Sequence, residues 1–127
     1  MATLEQKRAQ HAWQCAEDAQ ENISRHDRKA TYSDYVNDAK GLPALIMNSG
    51  LMQVMAFLKQ KGGRHELLMN HLLDWLGNQL KTPKAFEAFM EEMMQANSHK
   101  YQQVTTEAFA WLRWLRQMAA ARNGGNG

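Results

Sequence analysis

The sequence has one cysteine and two prolines in 127 residues, and no charge sign dominates it. A lone Cys15 excludes an internal disulfide and any zinc cluster built from cysteines, as suits a reducing compartment. Its setting among alanines reads as a small packing residue. Runs of β-branched residues are also scarce, so no strand pattern emerges, and without a strand the glycine pair Gly62-Gly63 cannot belong to a phosphate-binding loop. Fifteen Lys and Arg against thirteen Asp and Glu leave a net charge of +2, too little to declare a nucleic-acid binder from the total. Long hydrophobic runs are missing as well. The most apolar stretch, GLPALIMNSGLMQVMAFLKQK from Gly41 to Lys61, carries Pro43, Asn48, Ser49, Gly50 and Gln53 before its first charge at Lys59. A membrane span needs about 20 predominantly apolar residues, and lipid offers those polar groups few partners. MATLEQKRAQ at the start lacks the apolar segment of a secretory signal. A cytoplasmic protein is expected, with no membrane partner.

What is abundant is Ala, Leu, Met, Gln and Glu, which favour helix. The reading is all-α: a compact single-domain bundle of about six helices joined by short loops, occupying residues 1–122, with a disordered tail, NGGNG, over 123–127. Thr3 with Gln6, and Thr31 with Asp34, have capping-box spacing and open the first two helices. Leu4, Ala9, Ala12, Trp13, Ala16, Ala19 and Ile23 recur at helical intervals along the first. The second is expected to stop before Gly41, with Pro43 starting a separate short helix that Gly50 either caps or bends. Leu51, Val54, Met55 and Leu58 continue as one face to Gly62-Gly63, and Leu42, Leu45 and Ile46 join them as core. A fourth helix covers His65 to Leu80. Thr82-Pro83 is expected to cap and begin the next, lined by Phe86, Phe89, Met90, Met93 and Met94. The last runs from about Ser98 to Arg122, with Tyr101, Val104, Ala108, Trp111, Leu112, Leu115 and Ala119 inward.

Catalytic and metal patterns fail on spacing. In HELLMNH, His65 and His71 are six apart, which on one helix turns the rings roughly 120° from each other and about 9 Å along the axis. One helix cannot chelate a metal that way, so structural histidines are expected and no metal or other cofactor. Glu87, Glu91 and Glu92 form an acidic face with no histidine at hand, better suited to solvent than to acid–base work. The chain does not read as an enzyme.

The distribution of charge is more telling than its sum. Between Asp38 and Glu66 there is no acid, while Lys40, Lys59, Lys61 and Arg64 are basic; after Glu92 the chain carries Lys100, Arg113, Arg116 and Arg122 against Glu107 alone. Lys59, Lys61 and Arg64 crowd the glycine pair, from which mobile cations would reach phosphates, although cations at a helix C-terminus also complement its dipole. Lys7 and Arg8 sit early in a helix, where the dipole gives cations nothing. Arg113 and Arg116 flank Phe109. Trp114 falls off the apolar stripe of the last helix and is a candidate protein-interface anchor.

Three stretches then fall together. Tyr35 ahead of LPALIMNSGLMQVMAFLKQK, KRAQHAW in the first helix and TTEAFAWLRWLRQMAAA in the last resemble, in order and spacing over nearly the whole chain, the small-subunit family of the type III-B CRISPR RNA-guided effector, the Cmr complex. The resemblance implies a non-catalytic helical subunit, present in several copies stacked as a minor filament beside RAMP-type backbone subunits. Its partners would be those subunits, further copies of itself, crRNA and target RNA, and basic residues would grip the RNA backbone. On that basis Lys59, Lys61, Arg64, Arg113, Arg116, Lys7 and Arg8 are the expected RNA-facing residues. A free-standing RNA-binding module and a protein–protein adaptor remain the alternatives.

Overall fold

The structure is a computed structural model in which residues 1–122 are described; the tail expected to be disordered lies outside them. Six helices and no strand make up the described residues: α1 (Leu4–His26), α2 (Tyr32–Ser49), α3 (Leu51–Lys61), α4 (Gly63–Leu80), α5 (Phe86–Gln95) and α6 (Ser98–Arg122). Both expected capping boxes form, Thr3 with Gln6 and Thr31 with Asp34, each satisfying amide groups that an open helix end leaves without partners.

Helices α1 and α6 share the most extensive packing and run in the same direction, since Arg8 meets Glu107 near one end and Gln20 meets Arg122 near the other. Helix α4 lies antiparallel to both: His11 pairs with Asp74 and Asp18 with His71 from α1, while Trp75 reaches Glu107 on α6. The core collects Ala12, Ala16 and Ala19 of α1, Leu68, Leu72 and Leu76 of α4, and Ala108, Trp111, Leu112 and Leu115 of α6. The α1 alanines Ala12, Ala16 and Ala19 and the large Trp111 of α6 are all fully buried there.

Three expectations are corrected by the packing. Helix α2 does not stop at Gly41 but continues through Pro43 to Ser49. Proline in a helix interior costs about 3 kcal/mol through its missing N–H and its clash with the preceding turn. Here Val36, Ala39, Leu42 and Ile46 form one unbroken buried stripe on both sides of Pro43, and that burial holds the helix together. The break comes at Gly50, whose φ of 85° few side chains tolerate, and the Tyr101 hydroxyl accepts the Met52 N–H at the start of α3.

Thr82-Pro83 does not open α5. That helix begins at Phe86 with Ala85 at its cap, and Thr82 is buried in the preceding loop. Lys84 draws the loop onto α4, its ammonium donating to Asp74 and Asn78. Gly77 makes room: a Cβ there would stand 2.6 Å from Lys84 Cγ and 2.9 Å from the Thr82 carbonyl oxygen. Tertiary contact outweighs a local cap signal.

The third correction concerns which apolar residues are inside. Leu45 and Met94 are exposed, as is Met47, while Leu4 and Trp13 are only partly covered. Trp13 is shielded by the Arg122 guanidinium, 4.5 Å from the ring centroid.

Candidate nucleic-acid interface

Lys59, Lys61 and Arg64 surround a corner that is locked. Gly62 and Gly63 have φ of 67° and 53°, both left-handed, and α4 starts at the second of them. A Cβ on Gly63 would come within 2.8 Å of Asp27 Oδ2, whose carboxylate also accepts the Arg64 N–H. Position 63 therefore needs glycine for its φ and for its neighbour alike. The expected flexible delivery of cations is absent here; a tight turn aims them instead.

What they meet differs. Arg64 lies across α2, its Nε donating to Asp38 at 2.9 Å with Asp34 3.8 Å away, so its charge ties α4 to α2. Lys59 is exposed and donates to Glu66 at 2.8 Å, which raises its pKa. The Lys61 ammonium rests 5.7 Å from the Phe57 ring centroid, a cation–π contact that keeps the charge at the surface. A stretch empty of acids in sequence is thus ringed by acids in space, because the helices on either side bring Asp34, Asp38 and Glu66 to it.

The other expected cations divide the same way. Arg8 is half-buried: its Nε and terminal nitrogen grip both oxygens of Glu107 at 2.7 and 2.8 Å, and a third donor reaches Glu5. The Glu107 bond holds the guanidinium charge more firmly than in water. Lys7, its neighbour, is exposed without an ion pair among the described residues. Arg113 and Arg116 are likewise exposed and unpaired among those residues. They rim a groove of about 350 Å³ between α2 and α6, floored by Pro43, Met47, Phe109 and Leu112. Trp114 lies half-buried against α1, its indole N–H donating to Glu5 at 3.1 Å.

The seam of α1, α4 and α6 holds a polar network that left one overlooked sign in the sequence: Glu107 stands in the inward register of α6 between Val104 and Trp111. Besides Arg8 it accepts the Trp75 indole N–H at 3.0 Å. Burial pushes its pKa up, but the bonds from Arg8 and Trp75 outweigh this and hold it below the usual range. Next to it, Trp111 donates to His11 Nδ1 at 2.9 Å, so that nitrogen carries no proton and Nε2–H donates to Asp74 at 2.7 Å. On α4, His71 is buried between the Tyr35 hydroxyl at 2.7 Å and Asp18 at 2.8 Å. Burial lowers its pKa despite the carboxylate. The expectation of structural histidines holds for His71.

Cys15, His11 and Asp74 superficially form a nucleophile–base–acid series, with Cys15 Sγ 3.5 Å from His11 Nδ1. Two facts remove the chemistry. The nitrogen that would take the thiol proton is occupied by Trp111, and burial pushes the thiol pKa up, away from the reactive thiolate. No group of three or more ligating side chains able to hold a metal occurs among the described residues, and no helix there is long and apolar enough to cross a membrane.

Comparison with known proteins gives the family and agrees with the fold. The family model described as CRISPR-associated protein (Cas_Cmr5) matches residues 4–122. A curated protein of Thermotoga maritima, "CRISPR system Cmr subunit Cmr5", is 27% identical over 107 residues, covering 82% of this chain and 78% of its own length. The crystal structure of a CRISPR-associated Cmr5 family protein from Thermus thermophilus superposes with a TM-score of 0.77 at 28% identity, covering 95% of this chain and 97% of that one.

Proposed function

The chain belongs to the CRISPR-associated Cmr5 family, and from that premise we propose that it is a non-catalytic small subunit of a type III-B CRISPR RNA-targeting effector, the Cmr complex. The carrying observation is the family match from the first helix to the last. Several copies stack as a minor filament beside the RAMP-type backbone subunits, and the crRNA–target duplex lies between the two. Base pairing supplies sequence specificity, and this subunit supplies shape and positive charge to the RNA backbone. It acts in antiviral defence, in the cytoplasm.

The phosphate-facing cations of this reading are Lys7, Lys59 and Lys61. All three are exposed. Lys59 is held by a surface ion pair with Glu66 and lies 5.9 Å from the Phe86 ring centroid, exposed contacts that phosphate can replace at little cost. Arg8 and Arg64 position helices, and Arg113 and Arg116 stand over an apolar floor that suits a protein neighbour better than a phosphate.

The test is affinity purification of the tagged chain from its source cell, followed by target-RNA retention at increasing salt. RAMP-type subunits and a small RNA are expected to co-purify. Replacing Lys7, Lys59 and Lys61 by Ala is expected to leave assembly intact while flattening the salt dependence by up to about one unit per lost contact. Purification without those subunits would reject the assignment, and an unchanged salt slope would reject the cations.

A further inference from the structure

Helix α5 presents a stripe to solvent that nothing in the described residues covers. Glu87 and Glu91 are exposed one turn apart, and Met94, 65% exposed, follows on the same side. Of the nearby acids only Glu92 is in an ion pair among the described residues, with Lys100. The α2–α6 groove has the opposite character: an apolar floor containing Met47, 77% exposed, and a rim of two arginines without carboxylate partners among the described residues.

From this complementarity we infer that the groove is the docking site for α5 of a second copy of the chain. Met94 of the incoming helix lies on Met47, Pro43 and Phe109, while Glu87 and Glu91 reach Arg113 and Arg116. The spacings agree: four residues on a helix advance about 6 Å and three advance about 4.5 Å, a mismatch the arginine side chains absorb. The inference rests on the proposed stacking of copies and names the two surfaces that meet. Because the surfaces differ, each copy keeps a free groove at one side and a free α5 stripe at another, and the contact propagates as an open chain. Its core is a pair of methionines, adaptable and undemanding in shape, and its electrostatic rim sets the register. Such a contact is weak for two isolated copies, since exposed ion pairs are screened by salt.

Trapping makes a weak contact measurable. Full-length Met47→Cys and Met94→Cys proteins, mixed at low salt under mild oxidation, are expected to give the mixed disulfide several-fold above its statistical share relative to the two self-pairs. Cys15 is buried and does not compete. Placing Arg113→Glu with Arg116→Glu in both partners is expected to abolish the enrichment, as is Glu87→Lys with Glu91→Lys in both. Combining the groove-reversed Met94→Cys protein with the stripe-reversed Met47→Cys protein leaves the native charges at the trapped contact, with Glu87 and Glu91 facing Arg113 and Arg116, and keeps the enrichment. The other combination, a groove-reversed Met47→Cys protein with a stripe-reversed Met94→Cys protein, exchanges the two signs across the contact and restores the enrichment as well. Disulfides in statistical ratio, or enrichment indifferent to every reversal, would overturn the inference. So would reversal of the arginines that weakens RNA retention while leaving the trap unchanged, because the groove would then serve RNA. Enrichment in a chain that fails to co-purify with other subunits would keep this contact and reject the complex.

Discussion

Where α1, α4 and α6 meet, charged and aromatic polar groups are drawn inward and matched: Arg8 with Glu107, Trp75 with Glu107, Trp111 with His11, Asp18 with His71. Around α2 and α3 the reverse is seen, and Leu45, Met47 and Phe57 face outward. Burying matched polar groups fixes one register of three helices, because any slip strands a donor or a charge. Leaving apolar groups outside costs little in the monomer and keeps surface available for a neighbour. The seam specifies the fold, and the α2–α3 side is what the fold offers.

Removing Glu107 breaks the seam most severely. Glu107→Ala leaves a half-buried Arg8 charge and the Trp75 indole without their common acceptor, and a loss of about 3–5 kcal/mol is expected, read from urea unfolding. Replacing Arg8 and Glu107 together by Met and Leu is expected to recover much of it, since no charge is then stranded. A double variant as unstable as Glu107→Ala would mean that Arg8 contributes no stranded charge.

At the α3–α4 corner the constraint is backbone. Gly63→Ala is expected to cost about 1–3 kcal/mol, from its left-handed φ and the 2.8 Å approach of Asp27. Gly41, where an added Cβ would meet nothing within 4 Å and the setting is ordinary helix, is the control, and Ala there is expected to be neutral or stabilising. Equal effects at both sites would show that the corner is not locked.

The seam also makes stability depend on pH. His71 has a folded pKa below its ordinary 6.5, so between those values the unfolded chain binds the extra proton. Stability is full above about pH 6.5 and declines as pH falls below it, by at most about 1.4 kcal/mol per pH unit for that proton. Asp18, Asp74 and Glu107, all held below their usual range, add a second decline through the carboxylate range. Across the range in which histidine titrates, from about pH 8 to about pH 5, urea midpoints are expected to fall in the native chain and to stay flat in His71→Gln. A drop that survives the substitution would assign it to another group.

Helical periodicity made most of the fold legible: the caps at Thr3 and Thr31, the break at Gly50, the stop at Gly62 and the inward stripe of α6 are all local signals. Pro43 and Thr82 misled because a buried stripe and a lysine clamp, both tertiary, overrode local preference. The cations were harder still. Lys7 and Arg8 are adjacent and alike in sequence, yet a helical step of about 100° sends one to solvent and the other to Glu107, ninety-nine residues away. Counting acids along the chain missed Asp34 and Asp38 beside Arg64 for the same reason: ion pairs depend on distance in space.

The smallest expected effect sharpens the contrast within a single helix. Leu42 is 1% exposed and Leu45 is 44% exposed, three residues apart in the same apolar run. Leu45→Gln removes no packed core contact and leaves no buried polar group, so its effect on unfolding is expected to stay within about 0.5 kcal/mol. Leu42→Ala opens a cavity and serves as the comparator, at about 2–5 kcal/mol. Leu45 and Phe57 border the same surface hollow, so if that side is occupied in an assembly, Leu45→Gln weakens retention in the purified complex while the isolated chain unfolds as before. Unfolding measurements on the isolated chain and subunit retention in the complex therefore separate the two outcomes. A Leu45→Gln protein destabilised as much as Leu42→Ala would place this residue in the core and erase the difference between the two sides of α2.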